Sequence, residues 1–402
     1  MPLRSRFVLL ASFVGALVVS AFLLTGQPTG TKLQQFRERS ADFEKRGLAE
    51  PFAGIRTSSG VQSGLFAVKS TGVSTDGVRR AAQAYLMLLD DAQRKRTLFP
   101  VDDDEWRKWM NQHFYIRAGV AFHEMSPAQR DAAFGLLRAS LSARGLQLSR
   151  DIMKLNHTLG ELNNNNFEDY GEWLYHITIM GKPSATEPWG WQIDGHHLII
   201  NYFVLGDQVV MTPAFYGSEP VIATSGKYKG TKILQQEQLL GLEFMNGLDE
   251  AQRAKALFAA EKVKNDNLTE AFHDNVVMDY KGVRGSDLTA KQKFRLLELV
   301  SQYVGNMDDG HAKIKMKEVE QHLDETYFGW IGKTDKDSVF YYRIHSPVVL
   351  IEFDHQLPAG MRSIVPNPKE PQHDHIHVVV RTPNGNDYGK DLLRQHYAMQ
   401  RH

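Results

Sequence analysis

Two segments of this 402-residue chain match each other without a gap, and an internal match of this kind constrains the possible folds more than any other feature of the sequence. Residues 181–202 (GKPSATEPWGWQIDGHHLIINY) align with residues 332–353 (GKTDKDSVFYYRIHSPVVLIEF). The alignment pairs Gly-Lys with Gly-Lys, aromatic residues with aromatic residues, and Ile with Ile. Further on, residues 209–213 (VVMTP) resemble residues 379–383 (VVRTP). The sequence therefore predicts two halves built on one plan.

Four predicted helix starts share a pattern in which Asp, Ser or Thr is followed by Gln at the third position after it. They are Asp90–Gln93, Ser126–Gln129, Asp249–Gln252 and Thr289–Gln292. In such a capping box, the first side chain accepts a hydrogen bond from the backbone of the Gln, whose side chain reaches back to the first backbone N–H. One pair of starts falls in each half. We therefore predict an α+β fold with two pseudo-repeated halves, at about residues 74–220 and 235–397, each a helix pair followed by a small antiparallel sheet.

The N-terminus has the features of an export signal. Arg4 and Arg6 precede an uncharged apolar run from Phe7 to Leu24, so residues 1–25 are predicted to be a signal peptide or a membrane anchor. The run is long enough to span a membrane, yet its end also resembles a cleavage site, and both alternatives stay open. Residues 26–46 are polar and are expected to form a tether. Residues 47–402 are then a single α+β domain outside the cytoplasm, either periplasmic or extracellular.

Charge and cysteine content limit the possible partners. Lys plus Arg and Asp plus Glu both number 47, so no net basic field favours nucleic acid. The chain has no cysteine, which excludes disulfides, thiolate metal ligands and a cysteine nucleophile. Any metal would therefore be held by His, Asp or Glu.

The strongest candidate site lies on two predicted strands of the second half. His375 and His377 alternate along a strand and so point to one side of it. Neighbouring strands lie about 4.8 Å apart, so Glu352 on the next strand can share a metal with them. His197 in the first half is the other candidate ligand. This set of side chains is suited to a divalent transition metal such as Zn, Fe, Mn or Cu.

The position of His197 depends on a predicted hairpin. Asp194-Gly195 is a dipeptide typical of two-residue turns between strands. With the turn there, His196 shares a face with Ile193 and is expected in the core. His197 then shares the opposite face with Asn201, which makes it the better functional candidate.

Glu352 lies in an apolar run, and a buried carboxylate requires a partner. A structural ion pair with Arg343 or Arg381 is one possibility, and a bound cation is the other. The sequence alone leaves both open.

Three functions fit these residues. The first is a metal-dependent oxidoreductase or hydrolase that acts on a small organic substrate. The second is a metal-free enzyme in which Arg381 binds an anionic group and His197 or His377 transfers protons, with Asn386 and Asp387 as further candidate catalytic residues. The third is a non-catalytic exported ligand-binding module whose groove is lined by Trp189 and Trp191.

Several motifs together resemble one known family. They are Gly195-His196-His197-Leu198, Tyr341-Tyr342-Arg343-Ile344, Ile351-Glu352-Phe353-Asp354, and His375-Ile376-His377 with Arg381, Asn386, Asp387 and Gly389. The chain resembles the domain of unknown function 3500 family over roughly Val73 to Tyr397. The resemblance implies that the Gly-His-His-Leu and His-x-His segments belong to the family pattern. It implies no established activity, so the chemistry rests on the residues themselves.

Overall fold

A computed structural model describes residues 30–400 of the chain. The predicted signal peptide or membrane anchor, residues 1–25, lies outside the described residues. Among the helices within residues 30–400, none combines the length and the apolar character needed to cross a bilayer.

The described residues form ten α-helices and thirteen strands, together with short 3₁₀ turns. The helices are α1 (Gly30–Gly47), α2 (Asp76–Leu88), α3 (Asp91–Thr97), α4 (Pro127–Ser140), α5 (Ala143–Leu162), α6 (Gln235–Asn246), α7 (Glu250–Ala256), α8 (Ala290–Val304), α9 (Asp309–Gln321) and α10 (Lys390–Gln400). The strands are β1 (Leu98–Phe99), β2 (Val120–Ala121), β3 (Tyr175–Met180), β4 (Trp189–Gly195), β5 (Leu198–Leu205), β6 (Gln208–Val210), β7 (Ala214–Ser218), β8 (Leu257–Ala259), β9 (Val283–Arg284), β10 (Tyr327–Gly332), β11 (Phe340–His345), β12 (Leu350–His355) and β13 (Ile376–Arg381). The fold is α+β, as predicted.

All the strands belong to one sheet. Its order is β1-β3-β4-β5-β7-β13-β12-β11-β10-β8, with β2 paired to β3, β6 to β5 and β9 to β10. Both ends of the sheet therefore have the same plan. A short strand pairs in parallel with the first long strand, and antiparallel strands follow toward the centre.

The registers of the two halves also correspond. Ile193 lies opposite Ile200 between β4 and β5, and Ile344 lies opposite Ile351 between β11 and β12. The same numbering shift that aligns Gly181 with Gly332 relates these two pairs. Register and strand order are thus alike in the two halves, while their origin by duplication stays a prediction.

The halves meet where β7 pairs with β13, and Ala214 lies opposite Val380 at this junction. Val380 faces Ile351 in its own half, as Ala214 faces Ile200 in the other. The register thus matches Val380 with Ala214, so the resemblance between residues 209–213 and 379–383 does not reflect equivalent positions.

The four capping boxes are present as predicted, each with both of its hydrogen bonds. The Gln side chains also connect the helix starts within each half. Gln129 Nε2 donates to Gln93 Oε1 at 2.7 Å, and Gln292 Nε2 donates to Gln252 Oε1 at 2.7 Å. The shared local sequence thus starts the helices and also fixes one start against the next.

The central strands are covered on both faces. Every residue of β4, β5, β7, β11, β12 and β13 is buried. Polar side chains on these strands therefore need partners within the protein, because an unpaired buried charge is costly. Glu352 and Arg381 lie on these strands, so both are expected to have polar partners within the protein.

Helix α1 begins within the stretch expected to be a tether and packs against the domain. Phe43 stacks on Phe272 with ring centroids 6.1 Å apart. The backbone N–H of Ile116 donates to Ser40 Oγ at 3.0 Å, and Lys32 Nζ lies 2.7 Å from Asp169 Oδ1. Residues 30–46 therefore form part of the folded body.

The predicted hairpin turn at Asp194-Gly195 was wrong by two positions. Gly195 pairs with Leu198, so His196 and His197 themselves form the turn. Asp194 stays in the strand because its Oδ1 accepts a hydrogen bond from Arg117 Nε at 2.9 Å, which compensates its burial. His197 has a positive φ of 64°, which is uncommon for a residue other than glycine. The strand alternation expected for the two histidines therefore does not apply.

Candidate metal centre

Three histidines from distant parts of the chain converge at the end of the central strands. Nε2 of His377 lies 3.1 Å from Nε2 of His197 and 3.1 Å from Nε2 of His375. One nitrogen from each ring lies within 4.8 Å of the others, and all three residues are buried. The structure thus brings together the three histidines selected as candidate metal ligands from the sequence.

A glycine on β7 permits this approach. Strand β7 lies between β5 and β13, and Gly217 is opposite His377. A Cβ atom at Gly217 would lie 2.6 Å from the backbone oxygen of Ile376 and 3.3 Å from His377 Cδ2. The backbone N–H of Gly217 donates to the carbonyl of His197 at 2.9 Å, which fixes the turn. The glycine therefore leaves room for β13 and the ring of His377 to lie close to β7.

Hydrogen bonds at the far side of two rings determine which nitrogen is protonated. His375 Nδ1 donates to the carbonyl oxygen of Leu357 at 2.7 Å. His377 Nδ1 lies 2.7 Å from Glu270 Oε1 and donates to it when Glu270 is ionised. Because a neutral imidazole carries one hydrogen, both Nε2 atoms present lone pairs. These are the atoms that face one another.

Burial keeps two of the rings neutral. Loss of solvation and the neighbouring imidazoles lower the pKa of His197 and of His377 well below the usual range. Loss of solvation also raises the pKa of Glu270, although 24% of its side chain stays exposed. Neutral imidazole is the form that binds metal ions.

The segment that carries Glu270 is held by two buried side chains of the second half. Glu352 accepts hydrogen bonds from the backbone of Leu268 at 3.0 Å and of Thr269 at 2.9 Å. Arg381 Nη2 donates to the carbonyl oxygen of Thr269 at 2.7 Å. Glu352 and Arg381 thus place the loop so that Glu270 reaches His377.

Glu352 was predicted to be a metal ligand or the partner of an arginine, and its contacts differ from both expectations. Beyond the loop backbone, it accepts a hydrogen bond from Tyr341 Oη at 2.7 Å and another from the Thr269 hydroxyl. Within residues 30–400, its carboxylate forms no ion pair with Arg343 or Arg381. Peptide and hydroxyl donors stabilise the buried charge in place of a cation.

Arg381 was predicted to bind an anionic group, but its own surroundings supply the anions. Its Nη1 lies 2.7 Å from Asp274 Oδ1 and 3.3 Å from Asp387 Oδ2, and its side chain is fully buried. Asp387 Oδ1 also accepts from the backbone of Thr382 at 2.7 Å, and Asn386 Oδ1 accepts from that of Leu392 at 3.4 Å. These contacts give Arg381, Asn386 and Asp387 structural partners away from the three histidines.

Residues next to the centre have supporting positions. The ring of His196 stacks on that of His197 with centroids 4.0 Å apart, and its Nδ1 lies 2.7 Å from Asn156 Oδ1. Trp189 and Trp191, the candidates for a binding groove, are fully buried in the core. The aromatic groove expected of a binding module is therefore not built from them.

Sequence reasoning missed Glu270 and Gly217. Glu270 lies in an irregular polar segment, residues 265–275, with neither strand nor helix periodicity to mark its side chain. Gly217 lies in a short apolar strand. A glycine there indicates that another group approaches the backbone closely, but the sequence does not show which group. Both act through contacts with residues far away in the chain.

The chain matches the model of a known protein family. The family model described as "Protein of unknown function (DUF3500)" matches residues 71–390, which include all three histidines and Glu270. No curated protein and no solved structure matches the chain. The match spans most of the chain and agrees with the motifs noted in the sequence. The protein therefore belongs to the DUF3500 family.

Proposed function

We propose that this protein is a metal-dependent enzyme, an oxidoreductase or hydrolase of a small organic substrate, whose divalent transition metal is bound by His197, His375 and His377. One observation carries the proposal: three imidazole Nε2 atoms converge in a buried site, with 3.1 Å between neighbours. Exposed histidines on an edge strand would not meet in this way.

The protonation pattern supports a cation at this point. When both rings are neutral and Glu270 is ionised, His375 and His377 carry their hydrogen on Nδ1, so their Nε2 atoms cannot donate to each other. Two lone pairs that face each other at 3.1 Å repel unless a positive charge lies between them. Nitrogens bound to one zinc ion at about 2.0–2.1 Å stand about 3.3–3.4 Å apart in tetrahedral geometry, close to the separation found here.

The hydrogen bonds of the Nδ1 atoms of His375 and His377 also fit metal binding. Metal-ligating histidines commonly donate their other N–H to a carboxylate or a backbone carbonyl, which fixes the ring and strengthens the ligand. The carboxylate of Glu270 is placed to accept this hydrogen bond from His377, and the carbonyl oxygen of Leu357 accepts it from His375. Three imidazole ligands leave a further coordination position for water or substrate, which is the arrangement of catalytic rather than structural sites.

Elemental analysis tests the proposal. The protein, purified without a metal-binding tag, should contain about one equivalent of a transition metal, or take it up from Zn²⁺, Cu²⁺, Mn²⁺ or Fe²⁺ solutions. His377→Ala should lose the metal and stay folded. His373→Ala is the matched control, because His373 lies on the same segment but its Nε2 lies 2.6 Å from the carbonyl oxygen of Asp337. A wild-type protein that binds none of these ions, or an unchanged metal content in His377→Ala, would overturn the metal centre.

Export is a separate part of the proposal. It is supported by the apolar run Phe7–Leu24 behind Arg4 and Arg6, which would direct the chain out of the cytoplasm and could hold it at the membrane. Cell fractionation should place the protein in the membrane or outside the cytoplasm, and recovery in the cytoplasm would contradict it.

A further inference from the structure

A cavity lies on the opposite face of the sheet from the three histidines. On β7, Phe215 packs against His377 with ring centroids 4.9 Å apart, whereas its neighbours Ala214 and Tyr216 line the cavity. Successive side chains of a strand point to opposite faces. The cavity is therefore separated from the candidate metal centre by the sheet itself.

The cavity is apolar and lies where the two halves meet. It is enclosed between β7, β13 and helices α8 and α9, with a volume of about 60 Å³. Its apolar walls include Val210, Met211, Val304, Met307 and Val380. Since about 15 Å³ of such space holds one water molecule, there is room for a chain of about four heavy atoms. Ligand pockets commonly form at seams of this kind.

One wall of the cavity carries a polar atom without a partner. The hydroxyl of Tyr216 is buried and meets no hydrogen-bond partner in good geometry among residues 30–400. The side chain of Asn306 lies near it. Buried polar groups are normally satisfied, so an unsatisfied hydroxyl in a cavity wall is consistent with a site that receives another molecule.

The cavity continues into an open groove that is positively charged. The groove has a volume of about 420 Å³. It shares four lining residues with the cavity, namely Val209, Val210, Lys315 and Glu318. Lys69 and Lys317 also line the groove, so three lysines face one carboxylate. The groove therefore favours a negatively charged group at the mouth of an apolar cavity.

Lys315 is placed at the junction of the two spaces. Its Nζ donates to the carbonyl oxygen of Val348 at 2.7 Å and to Glu318 Oε1 at 3.1 Å. An ammonium group has three hydrogens to donate, so one remains for a ligand. The side chain is 16% exposed, which leaves its charge reachable from the groove and only partly screened.

We infer that this cavity and groove bind the anion of a carboxylic acid with a short apolar chain. The chain enters the cavity between β7, β13 and α8, and the carboxylate pairs with Lys315 at its mouth. This site is independent of the metal centre and does not require the proposed enzyme activity.

Calorimetric titration with pentanoate, whose four-carbon chain matches the cavity, tests the inference. Pentanoate should bind at one site per chain, whereas pentanol, which lacks the charge, and acetate, which lacks the chain, should each bind at least about tenfold more weakly. Lys315→Met should weaken pentanoate binding by about tenfold or more. Lys313→Met is the matched control, since Lys313 is exposed on the same helix and lines neither space.

A carboxylate could also bind a metal ion, so the titration is repeated with His377→Ala. Unchanged pentanoate affinity in that variant supports the separate site, and loss of binding assigns it to the metal centre and overturns the inference. Equal affinities for Lys315→Met and Lys313→Met, or no pentanoate binding at millimolar concentration, would also overturn it. If Lys315→Met fails to fold, competition between pentanoate and pentanol on the wild type still decides whether the charge is recognised.

Discussion

Nδ1 of His377 lies 2.7 Å from Oε1 of Glu270, although 107 residues separate them in the chain. The contact exists because Glu352 and Arg381, on the two strands beside each other, hold the segment around Thr269. The proposed metal ligand His377, the carboxylate of Glu270 and the residues that position this carboxylate therefore form one connected set.

Glu270→Gln should weaken metal binding without unfolding the protein. The amide keeps the size of the side chain but removes the charge that orients His377 and strengthens it as a ligand. Loss of such a contact typically lowers metal affinity by about 10–100-fold. Competition with a metal indicator would measure this, and an affinity within twofold of the wild type would count against the role of Glu270.

Glu352→Gln should destabilise the fold while metal still binds at saturation. The new amide NH₂ would face the backbone donors of Leu268 and Thr269, and a buried donor left unsatisfied costs about 1–3 kcal/mol. Hydrogen exchange should increase in residues 266–274. Glu298→Gln is the control, because its ion pair with Arg295 is exposed and contributes at most about 1 kcal/mol. Loss of metal at unchanged stability would instead show that Glu352 is a ligand.

Gly119→Ala and Gly282→Ala should cause similar, large losses of stability. Both have positive φ, and a Cβ would lie 2.2 Å from the carbonyl oxygen of Ile177 or 2.1 Å from that of Phe328. The overlap and the strained backbone together should cost about 2–4 kcal/mol. Gly60→Ala also has positive φ but meets no atom within 4 Å, so it should cost only about 1–2 kcal/mol. Chemical denaturation would separate the two contributions, and equal losses at all three positions would contradict the close approach.

Acid should destabilise the protein partly through His345. Burial, followed by the charge of Arg343, lowers the pKa of His345 to about 3 from its usual 6.5. Between these values the unfolded chain binds a proton that the folded protein does not, so stability falls as pH falls below 6.5. From pH 6.5 to 5 this residue should account for about 1.6 kcal/mol. His345→Phe should show a correspondingly weaker pH dependence in denaturation experiments, and an unchanged dependence would refute the assignment.

The sequence predicted the structure correctly where the interactions that determine it join residues close together in the chain. The capping boxes join residues three positions apart, so their pattern predicted both the helix starts and their pairing. The alternation of His375 and His377 likewise predicted that both rings lie on one side of a strand. The α+β class and the family followed from such local patterns, and both are confirmed.

Where the deciding partner is distant in the chain, sequence reasoning failed. Asp194 is followed by glycine and therefore resembles a turn residue. In the structure it lies in a strand, where Arg117 donates a hydrogen bond to its carboxylate. Glu352 required a partner, yet nothing in its own strand shows that the partner is a loop backbone. Glu270 had no local pattern at all. Each depends on a tertiary contact that overrides the local preference.

The pairing of β7 with β13 in the middle of one sheet also limits how this protein can be divided. A fragment cut in the connection between β7 and α6 would leave one of these strands with a free edge of unpaired N–H and C=O groups. Such edges recruit strands from other chains, so each fragment would be prone to aggregate or to associate with a second copy. Gene truncations that remove either half should therefore give insoluble products rather than smaller working proteins.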